Sequence, residues 1–330
     1  MRSPLPNGGK TSDWRKRSYN RPKTAVGYSA TLPKKNPSSP NVDVRDGKLA
    51  AARVQSDSHI DTPASVERAG PILRWAGSKY RILPSLLSCA PANFGRYFEP
   101  FAGSASLFLA LAPTSAVLGD INPHLIGAYR TVRARPSAVY REFRAIPGSK
   151  RAYYQIRAVD PNNLSAIQRA ARFLYLNQFC FNGVYRENLR GQFNVPRGTK
   201  FRTLPTEDTY MEFARRLRTT ELRCADFEDS LRDVRKGDFV YLDPPYAKHR
   251  ARNRGEYGRD AFGTDDIDRL VGMMKALDQI GAKVMTSFFN STRLRGAFRN
   301  WSIRTIGVAR SVSGFVSERG HVRELIICNY

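Results

Sequence analysis

Apolar and polar positions follow two different periods along the chain from Pro71 onward. Short runs rich in β-branched and aromatic residues, which are typical of strands, precede longer runs with helical spacing. Four such pairs are RYFEP with SLFLALA, AVLGD with PHLIGAYRTVR, DFVYLD with DDIDRLVGMMKALDQI, and AKVMTSF with STRLRGAF. The alternation predicts an α/β fold with a mostly parallel sheet. The last two runs, WSIRTI and RELIICNY, predict a closing antiparallel pair.

The alternation stops between about residues 134 and 220, where a largely helical block replaces it. This block leads into FNGVYRENLRGQFNVPRG, in which residues 188–191 separate two aromatic-bearing arms and predict a β-hairpin. We interpret residues 134–220 as a lobe inserted into a single domain, whose two parts are residues 71–133 and 221–330.

The charge of the chain indicates a class of partner. There are 54 Lys and Arg residues against 29 Asp and Glu, a net charge of +25. Residues 1–70 hold 13 of the basic and 6 of the acidic residues, so this tail carries +7 and the rest carries +18. The tail has few large apolar side chains and no sustained period, which predicts a disordered basic segment. Because basic side chains release counterions from a phosphate backbone, we expect nucleic acid as the partner; solubility alone is the alternative.

The sequence signals of several other protein classes are missing. The apolar run LFLALA, from Leu107 to Ala112, is far shorter than the roughly eighteen residues of a membrane span, so we expect no membrane partner. The four cysteines form no CxxC pair and the four histidines show no ligand spacing, which argues against structural zinc. No apolar signal-peptide core follows Met1, and we expect a cytoplasmic protein.

The segment from Gly237 to Tyr246 is an apolar strand that ends in an acid, two prolines and an aromatic residue. Prolines fix the backbone and forbid a helix, so the turn is stiff. The Asp243 carboxylate and the Pro244 carbonyl can each accept a hydrogen from an amino group, and Tyr246 offers a face for a planar base. This arrangement suits methylation of an exocyclic amine, whose delocalised lone pair must be oriented before it attacks. The alternative is an ordinary proline-rich turn with Asp243 as a cap.

A second turn, FEPFAG at Phe98–Gly103, passes from a predicted strand to a predicted helix. Gly103 permits close approach of a ligand, and the lack of GxGxxG disfavours a dinucleotide or P-loop site. Asp120 ends the next strand and can accept both hydroxyls of a ribose; its alternative is a helix cap, a role shared with Asn122. Asp120 and Asp243 both fall at carboxyl ends of predicted strands, where open α/β sheets bind ligands.

These segments, in order, resemble the motifs of the Dam family of DNA adenine methyltransferases, over the run from Leu73 to Tyr330. DPPY is the catalytic motif of amino methyltransferases. LRWAGSKYRILPSLL resembles the family's amino-terminal WAGGK element, YFEPFAGSASLFLAL its cofactor motif, GDINPHLIGAYR the acid-bearing segment, NQFCFNGVYRENLRGQFNVPRG the recognition region and ELIICNY the ending. Ser78 stands where the family usually has glycine. The resemblance implies a Rossmann-like class I methyltransferase sheet with an inserted, mostly helical DNA-recognition lobe that carries the hairpin.

The resemblance also implies S-adenosylmethionine as methyl donor, without a metal. Trp75 and Lys79 are expected to hold its methionine end, and Asp226 with Phe227 to flank its adenine. Asp120 is expected to hold the cofactor by its ribose hydroxyls or by its cationic amino-acid end. The expected cofactor-binding residues are Trp75, Lys79, Phe98, Glu99, Phe101, Gly103, Asp120, Asp226, Phe227 and Asp243; the catalytic residues are Asp243, Pro244 and Tyr246.

The recognition region suggests contacts with DNA. Phe181 is expected to be a wedge that fills the space left by a flipped adenine, with a place in the hydrophobic core as the alternative. Arg186 is expected to bind guanine in the major groove, with a phosphate contact as the alternative. Asn182 and Val184 are expected to contact phosphate and a thymine methyl group, and Asn194 also belongs to the expected DNA-binding set.

The expected activity is methylation of the exocyclic amino group of adenine in double-stranded DNA. GATC as target is a hypothesis, because FNGVYR keeps the pattern of relatives that act there, whereas Thr199-Lys200-Phe201 replaces their usual Arg-Tyr. Alternatives are methylation of the cytosine amino group, whose motif more often opens with Ser, methylation of RNA adenine, which typically has Asn, and a DNA-binding protein without activity. We expect a bacterial or phage protein that is a monomer or weak dimer, with a cognate restriction endonuclease as a further candidate partner.

Overall fold

A computed structural model describes residues 70–199, 203–245, 262–309 and 321–330. Over these ranges the chain forms a sheet of seven strands. The strands are β1 (Tyr97–Glu99), β2 (Ala116–Asp120), β3 (Thr220–Cys224), β4 (Phe239–Leu242), β5 (Lys283–Phe289), β6 (Ser302–Ala309) and β7 (His321–Cys328). The predicted basic tail, apart from Gly70, lies outside the described residues.

The strands stand in the order β3-β2-β1-β4-β5-β7-β6. The first five are parallel to one another, and β7 runs antiparallel to both β5 and β6. Both the parallel α/β sheet and the closing antiparallel pair are therefore confirmed. Strand β1 lies between β2 and β4, so the strand order reverses there, and the loops after β1 and β4 diverge to leave a crevice.

Helices follow most of the strands, and several begin at a residue whose side chain caps them. The helices are α1 (Leu83–Cys89), α2 (Ser106–Leu111), α3 (Pro123–Ala134), α4 (Pro136–Ala145), α5 (Lys150–Ala158), α6 (Ala166–Phe179), α7 (Glu207–Arg216), α8 (Phe227–Ser230), α9 (Thr264–Gln279) and α10 (Thr292–Ala297). The Asn122 side chain accepts the first free N–H groups of α3, and Pro123 fits its first turn. Ser165 and Gln168 form a capping box on α6. No helix in the described ranges is long and apolar enough to cross a membrane.

The two faces of the sheet pack into two hydrophobic cores. Tyr97 and Tyr241 lie in the first core, whereas Phe98 and Val240 lie in the second. Successive side chains of a strand point to opposite faces, so neighbouring residues of β1 and β4 serve different cores.

The predicted insert has boundaries that coincide with elements of the fold, since α3 ends at Ala134 and β3 begins at Thr220. Its helix α4 packs on both α6 and α7, and all three helices pack on α3. Val139 and Phe143 of α4 belong to the same hydrophobic core as Tyr97 of the sheet. The insert thus shares its core with one face of the sheet, and its division as a separate lobe stays a prediction.

The turn of the predicted hairpin lies at residues 188–191, as expected from the sequence. Gly191 N–H donates to the Asn188 carbonyl (3.0 Å), and Asn188 N–H donates to the Gln192 carbonyl (2.9 Å). Glu187 and Phe193 form an isolated antiparallel bridge, so the two arms are paired without forming continuous strands.

Candidate active site

A cavity of about 460 Å³ opens at the carboxyl ends of β1, β2 and β4, beside the reversal of strand order. The predicted cofactor and catalytic residues that line it are Trp75, Lys79, Glu99, Phe101, Gly103, Asp120, Asp226, Phe227, Asp243 and Pro244. Phe98 is buried in the second core, beneath the Arg96 guanidinium, and is not among the described residues that line the cavity. Tyr246 lies outside the described residues.

Asp120 is held by backbone groups at the end of β2. Its Oδ1 atom accepts the Asn122 N–H (2.9 Å), and its Oδ2 atom accepts the Gly103 N–H (3.2 Å). The cap of α3 is the Asn122 side chain, which accepts the His124 and Leu125 N–H groups, so capping does not account for Asp120. Burial raises the pKa of Asp120 to about 6, although both N–H donors oppose the shift. Asp120 therefore presents a fixed acceptor to the cavity.

The loop after β1 can take its shape only with glycine at residue 103. Gly103 has a φ of +45°, and a Cβ atom there would lie 2.7 Å from Cδ1 of Trp75. Its carbonyl accepts the Tyr129 hydroxyl (2.5 Å), and Ala102 N–H donates to the Gly119 carbonyl (2.8 Å). These contacts fix the loop against both the indole and β2.

Ser78, which replaces the family's usual glycine, causes no backbone strain. Its φ and ψ of −49° and 128° are accessible to any residue, whereas Gly77 has a φ of +82°. The Ser78 hydroxyl contacts the hydroxyls of Ser104 (3.0 Å) and Ser106 (3.2 Å). The substitution therefore adds a link between the residues around Trp75 and the loop after β1.

Asp243, at the end of β4, is held by side chains. Lys79 Nζ lies 2.6 Å from its Oδ1 atom, and the Ser287 hydroxyl donates to the same atom (3.1 Å). Since a serine has one hydroxyl proton, the Tyr241 hydroxyl, 2.7 Å from Ser287 Oγ, is the donor in that contact. Burial raises the pKa of Asp243, while Lys79 and Ser287 oppose the shift.

The Lys79 ammonium is largely buried, with 9% of the side chain exposed, and also donates to the Gly77 carbonyl (3.1 Å). Sequence reasoning assigned it to the methionine end of the cofactor, whereas here it neutralises the Asp243 carboxylate. The partner was not visible in the sequence, because 164 positions separate Lys79 from Asp243.

A second carboxyl, that of Glu99, lies at the base of the cavity. It accepts the Tyr97 hydroxyl at Oε2 (2.9 Å) and is 3% exposed. Burial raises its pKa to about 8, an effect that the nearby Asp243 carboxylate increases. Near neutral pH, Glu99 therefore holds its proton on most molecules.

The far end of the cavity is an aromatic slot formed by Phe101, Phe227 and Phe262. Phe101 stacks on Phe227 with ring centroids 5.4 Å apart, and Phe262 meets Phe101 edge to face at 5.9 Å. Arg269 lies over Phe227 (4.7 Å) and binds the Asp226 carboxylate (2.6 Å). An aromatic slot with an acid at its edge suits a flat heterocycle that bears an amino group.

Sequence reasoning did not find several of these residues. Arg269 lines the slot from α9, Phe262 from the segment just before that helix, and Tyr185 lines the cavity from the hairpin. Ser287 supports Asp243 from β5. Their residue types are ordinary for helices and strands, so no local pattern distinguishes them.

The residues expected to contact DNA lie in and beside the hairpin. Phe181 is 44% exposed, so a core position does not account for it. Asn182 has a left-handed backbone with a φ of +55°. The Arg186 guanidinium donates from Nε to Asn194 Oδ1 (2.8 Å), which joins the two arms. Val184 is partly buried against the first core.

Among the described residues, no group of three or more His, Cys, Asp or Glu side chains is arranged to hold a metal ion.

The strand order, and a cavity that joins the acid at the end of β2 to the Asp-Pro-Pro turn after β4, fit the class I methyltransferase fold. Comparison with known families identifies the kind of methyltransferase. The family described as D12 class N6 adenine-specific DNA methyltransferase matches residues 75–312, and the chain belongs to this family. The prediction of a Dam-like DNA adenine methyltransferase is thereby confirmed.

Curated relatives agree with this assignment. The chain is 32% identical over 270 residues to the type II methyltransferase M1.LlaDCHI of Lactococcus lactis subsp. cremoris, covering 79% of this chain and 95% of that protein. It is 32% identical over 260 residues to the retron Ec67 DNA adenine methylase of Escherichia coli, covering 77% and 90%. It is 31% identical over 261 residues to the DNA adenine methylase of Serratia marcescens, covering 77% and 96%.

Proposed function

We propose that the protein transfers a methyl group from S-adenosylmethionine to the exocyclic amino group of adenine at a specific sequence of double-stranded DNA. The observation that carries this proposal is that one cavity joins the Asp120 carboxylate, the aromatic slot and the turn at Asp243 and Pro244. Its volume of about 460 Å³ falls within the range of small-molecule sites.

The residues along the cavity fit this methyl donor. The aromatic slot has the shape and chemistry for the adenine ring, and Asp226 at its edge can accept the ring's amino hydrogens. Asp120 can accept the ribose hydroxyls, and Gly103 lets the backbone approach them. S-adenosylmethionine, when bound, supplies an electrophilic methyl group. The proposal needs no metal.

The Asp243 carboxylate and the Pro244 carbonyl accept the two hydrogens of the target amine in this proposal. Lys79 and Ser287 both bind Oδ1 of Asp243, so we assign Oδ2 to the amine. The Lys79 ammonium favours the ionised carboxylate, which accepts but does not donate. Holding two reactants in attack geometry can lower the barrier by roughly 7–11 kcal/mol, so positioning supplies most of the rate.

Phe181, Asn182, Val184, Arg186 and Asn194 are the residues that we propose contact DNA. The exposed Phe181 ring can enter the space left by a flipped adenine. The Arg186 guanidinium keeps further N–H groups for a guanine while its Nε atom binds Asn194. The target GATC rests on the resemblance of FNGVYR, and Lys200 and Phe201 of the departing segment lie outside the described residues.

Methylome sequencing of a host that expresses wild-type protein or Asp243→Ala tests this function. We expect methylated adenine at one short sequence with the wild type and none with the variant. Modified adenines at a motif other than GATC would reject that target alone. Digestion of the product separates adenine from cytosine methylation, and equal activity on RNA would reject DNA specificity.

The rival from another class is a DNA-binding protein without activity. Isothermal titration with S-adenosylmethionine separates the two, because a protein without activity needs no donor. Lack of binding at millimolar donor would favour the rival. We also propose a cognate restriction endonuclease as a partner, which the name of one type II relative suggests and co-purification tests. We propose that the protein is a monomer or weak dimer, which sedimentation tests.

A further inference from the structure

The hairpin that we propose contacts DNA and the cavity that we propose binds the donor share a boundary at residues 74–77. Ala76 N–H donates to the Gly183 carbonyl (3.2 Å) at the start of the hairpin. The Asn177 side chain accepts the Arg74 N–H (2.7 Å) and donates to the Arg74 carbonyl (3.1 Å). A Cβ atom on Gly183 would lie 1.7 Å from that carbonyl oxygen. The two segments are therefore joined as one body.

Tyr185, in the first arm of the hairpin, extends this joint into the cavity. Its ring stacks on Trp75 with centroids 6.2 Å apart and planes 18° apart. Phe173 and Phe193 pack on it from other sides, each at 5.4 Å, and Tyr185 itself lines the cavity. The indole of Trp75 therefore has the hairpin behind it and Gly103 in front.

The hydroxyl of Tyr185 makes a second connection. It donates to Oε1 of Glu187 (2.5 Å), and the same atom lies 3.3 Å from Nε2 of His124. His124 is in the first turn of α3, where its N–H binds the Asn122 side chain. Since Asn122 also donates to Asp120, the hairpin connects to both sides of the proposed donor site.

The charge states suit this connection. Burial raises the pKa of Tyr185, so its hydroxyl stays protonated and donates. Burial alone would raise the pKa of Glu187, but the hydrogen bonds from His124 and Tyr185 outweigh it and lower the pKa. Glu187 is thus an ionised acceptor shared by two elements.

Arg186 stands between these residues and makes a different contact. Its guanidinium binds Asn194 of the second arm rather than Trp75 or His124. Successive side chains along an extended segment point to opposite sides, so Tyr185 and Glu187 face the protein while Arg186 is directed away from them. DNA bound to Arg186 would therefore act on the backbone segment whose Gly183 carbonyl binds Ala76 and whose Tyr185 ring stacks on Trp75.

We propose that Tyr185 is a positioning residue that holds Trp75 against the donor site and, through Glu187 and His124, makes binding of the methyl donor and of DNA cooperative. This inference rests on the proposed function, in which Arg186 contacts DNA and the cavity holds the donor.

The experiment is a titration of the full-length protein with S-adenosylhomocysteine, an unreactive donor analogue. It is done with and without an unmethylated duplex that contains the target sequence found by methylome sequencing. DNA is expected to lower the analogue's Kd at least about fivefold in the wild type. Tyr185→Leu should raise the Kd without DNA about fivefold, since it removes the aromatic pair. Tyr185→Phe should restore most of that affinity.

The coupling ratio is the analogue's Kd without DNA divided by its Kd with DNA. This ratio distinguishes a positioning role of Tyr185 from a merely structural one. In Tyr185→Phe and Glu187→Gln the effect of DNA on the analogue's Kd should fall below about twofold, because the first removes the hydroxyl donor and the second removes the carboxylate charge that binds both Tyr185 and His124. Tyr175→Phe is the matched control, since it removes a tyrosine hydroxyl that binds the Pro147 carbonyl in the same core, and it should keep wild-type coupling. Wild-type coupling in both Tyr185→Phe and Glu187→Gln would overturn the inference.

A spectroscopic measurement reports on Trp75 directly. The chain has three tryptophans, so Trp14→Phe with Trp301→Phe leaves Trp75 as the emitting residue. Adding DNA should shift its emission, and Tyr185→Phe should reduce that shift. A wild type that binds neither the analogue nor DNA would overturn the proposed function, whereas binding without any coupling would overturn this inference alone. If Tyr185→Leu fails to fold, as shown by thermal unfolding, Tyr185→Phe decides the outcome.

Discussion

Asp120 and Asp243 occupy equivalent positions in the sheet but are held in different ways. Each stands at the carboxyl end of a parallel strand, lines the same cavity and has a pKa raised by burial. Asp120 is fixed by the N–H groups of Gly103 and Asn122, whereas Asp243 is fixed by the Lys79 ammonium and the Ser287 hydroxyl. The geometry of Asp120 thus depends on the path of the backbone, and that of Asp243 on replaceable side chains. Each can therefore be disturbed separately.

Asp243→Asn should produce the largest effect. The amide keeps the shape but loses the charge opposite Lys79, and we expect methyl transfer to slow by roughly a hundredfold or more, as when one preorganised polar contact is removed. The donor's Kd should change little. Single-turnover assays with saturating donor and DNA measure the rate, and the exposed Asp229→Asn is the control. A rate above a tenth of wild type would contradict the role of Asp243.

Asp120→Asn should act on donor binding instead. Loss of a charged acceptor for the ribose hydroxyls is expected to raise the donor's Kd by about tenfold to a hundredfold, the usual range for hydrogen bonds to charged groups. The rate at saturating donor should stay close to wild type. Titration calorimetry and single-turnover assays measure the two quantities. A fall in rate with unchanged Kd would reverse the assignments of the two acids.

Ser287→Ala tests the side-chain support of Asp243. We expect about a tenfold slower transfer with an unchanged Kd, since the variant removes one hydrogen bond to a charged group. Thr286→Val is the matched control, because Thr286 is equally buried on β5 but donates to the Leu242 carbonyl. If both variants lose the same activity, the effect is on the strand and not on Asp243.

The dependence of donor affinity on pH should show the smallest effect. The pKa of Asp120 is raised to about 6, so it gains a proton as the pH falls through this value and binds hydroxyls less strongly. At pH 5.5 we expect the Kd to be about fourfold higher than at neutral pH. Asp120→Asn should abolish this dependence. Glu99, with a pKa of about 8, titrates above this window, so a midpoint near 8 would assign the effect to Glu99.

Much of the fold and part of the site could be predicted because the signals are local. Strand and helix periods are properties of adjacent residues. Parallel strands bring their carboxyl ends to one edge of the sheet, so the sequence alone predicted that Asp120 and Asp243 lie at the same edge. The turn of the hairpin at Asn188 to Gly191 was also local, because those residue types set turn geometry.

The rest depended on contacts between distant positions. Arg269 reaches Asp226 from α9, and Ser287 reaches Asp243 from β5, across 43 and 44 residues. No period or spacing marks such pairs. Phe98 illustrates a different limit: the sequence located the turn, but only the register of β1 shows that residue 99 faces the cavity while residue 98 faces the second core.

The close contact of Gly183 with Arg74 limits how the target sequence can be re-engineered. A chimera that transplants only the hairpin of a relative would place foreign residues against this protein's own Ile72–Ala76, where Gln178 also binds the Ile72 carbonyl (2.7 Å). The transferable module is therefore two stretches of chain, one on each side of that contact. Exchanging both together would carry the joint intact into the new host scaffold.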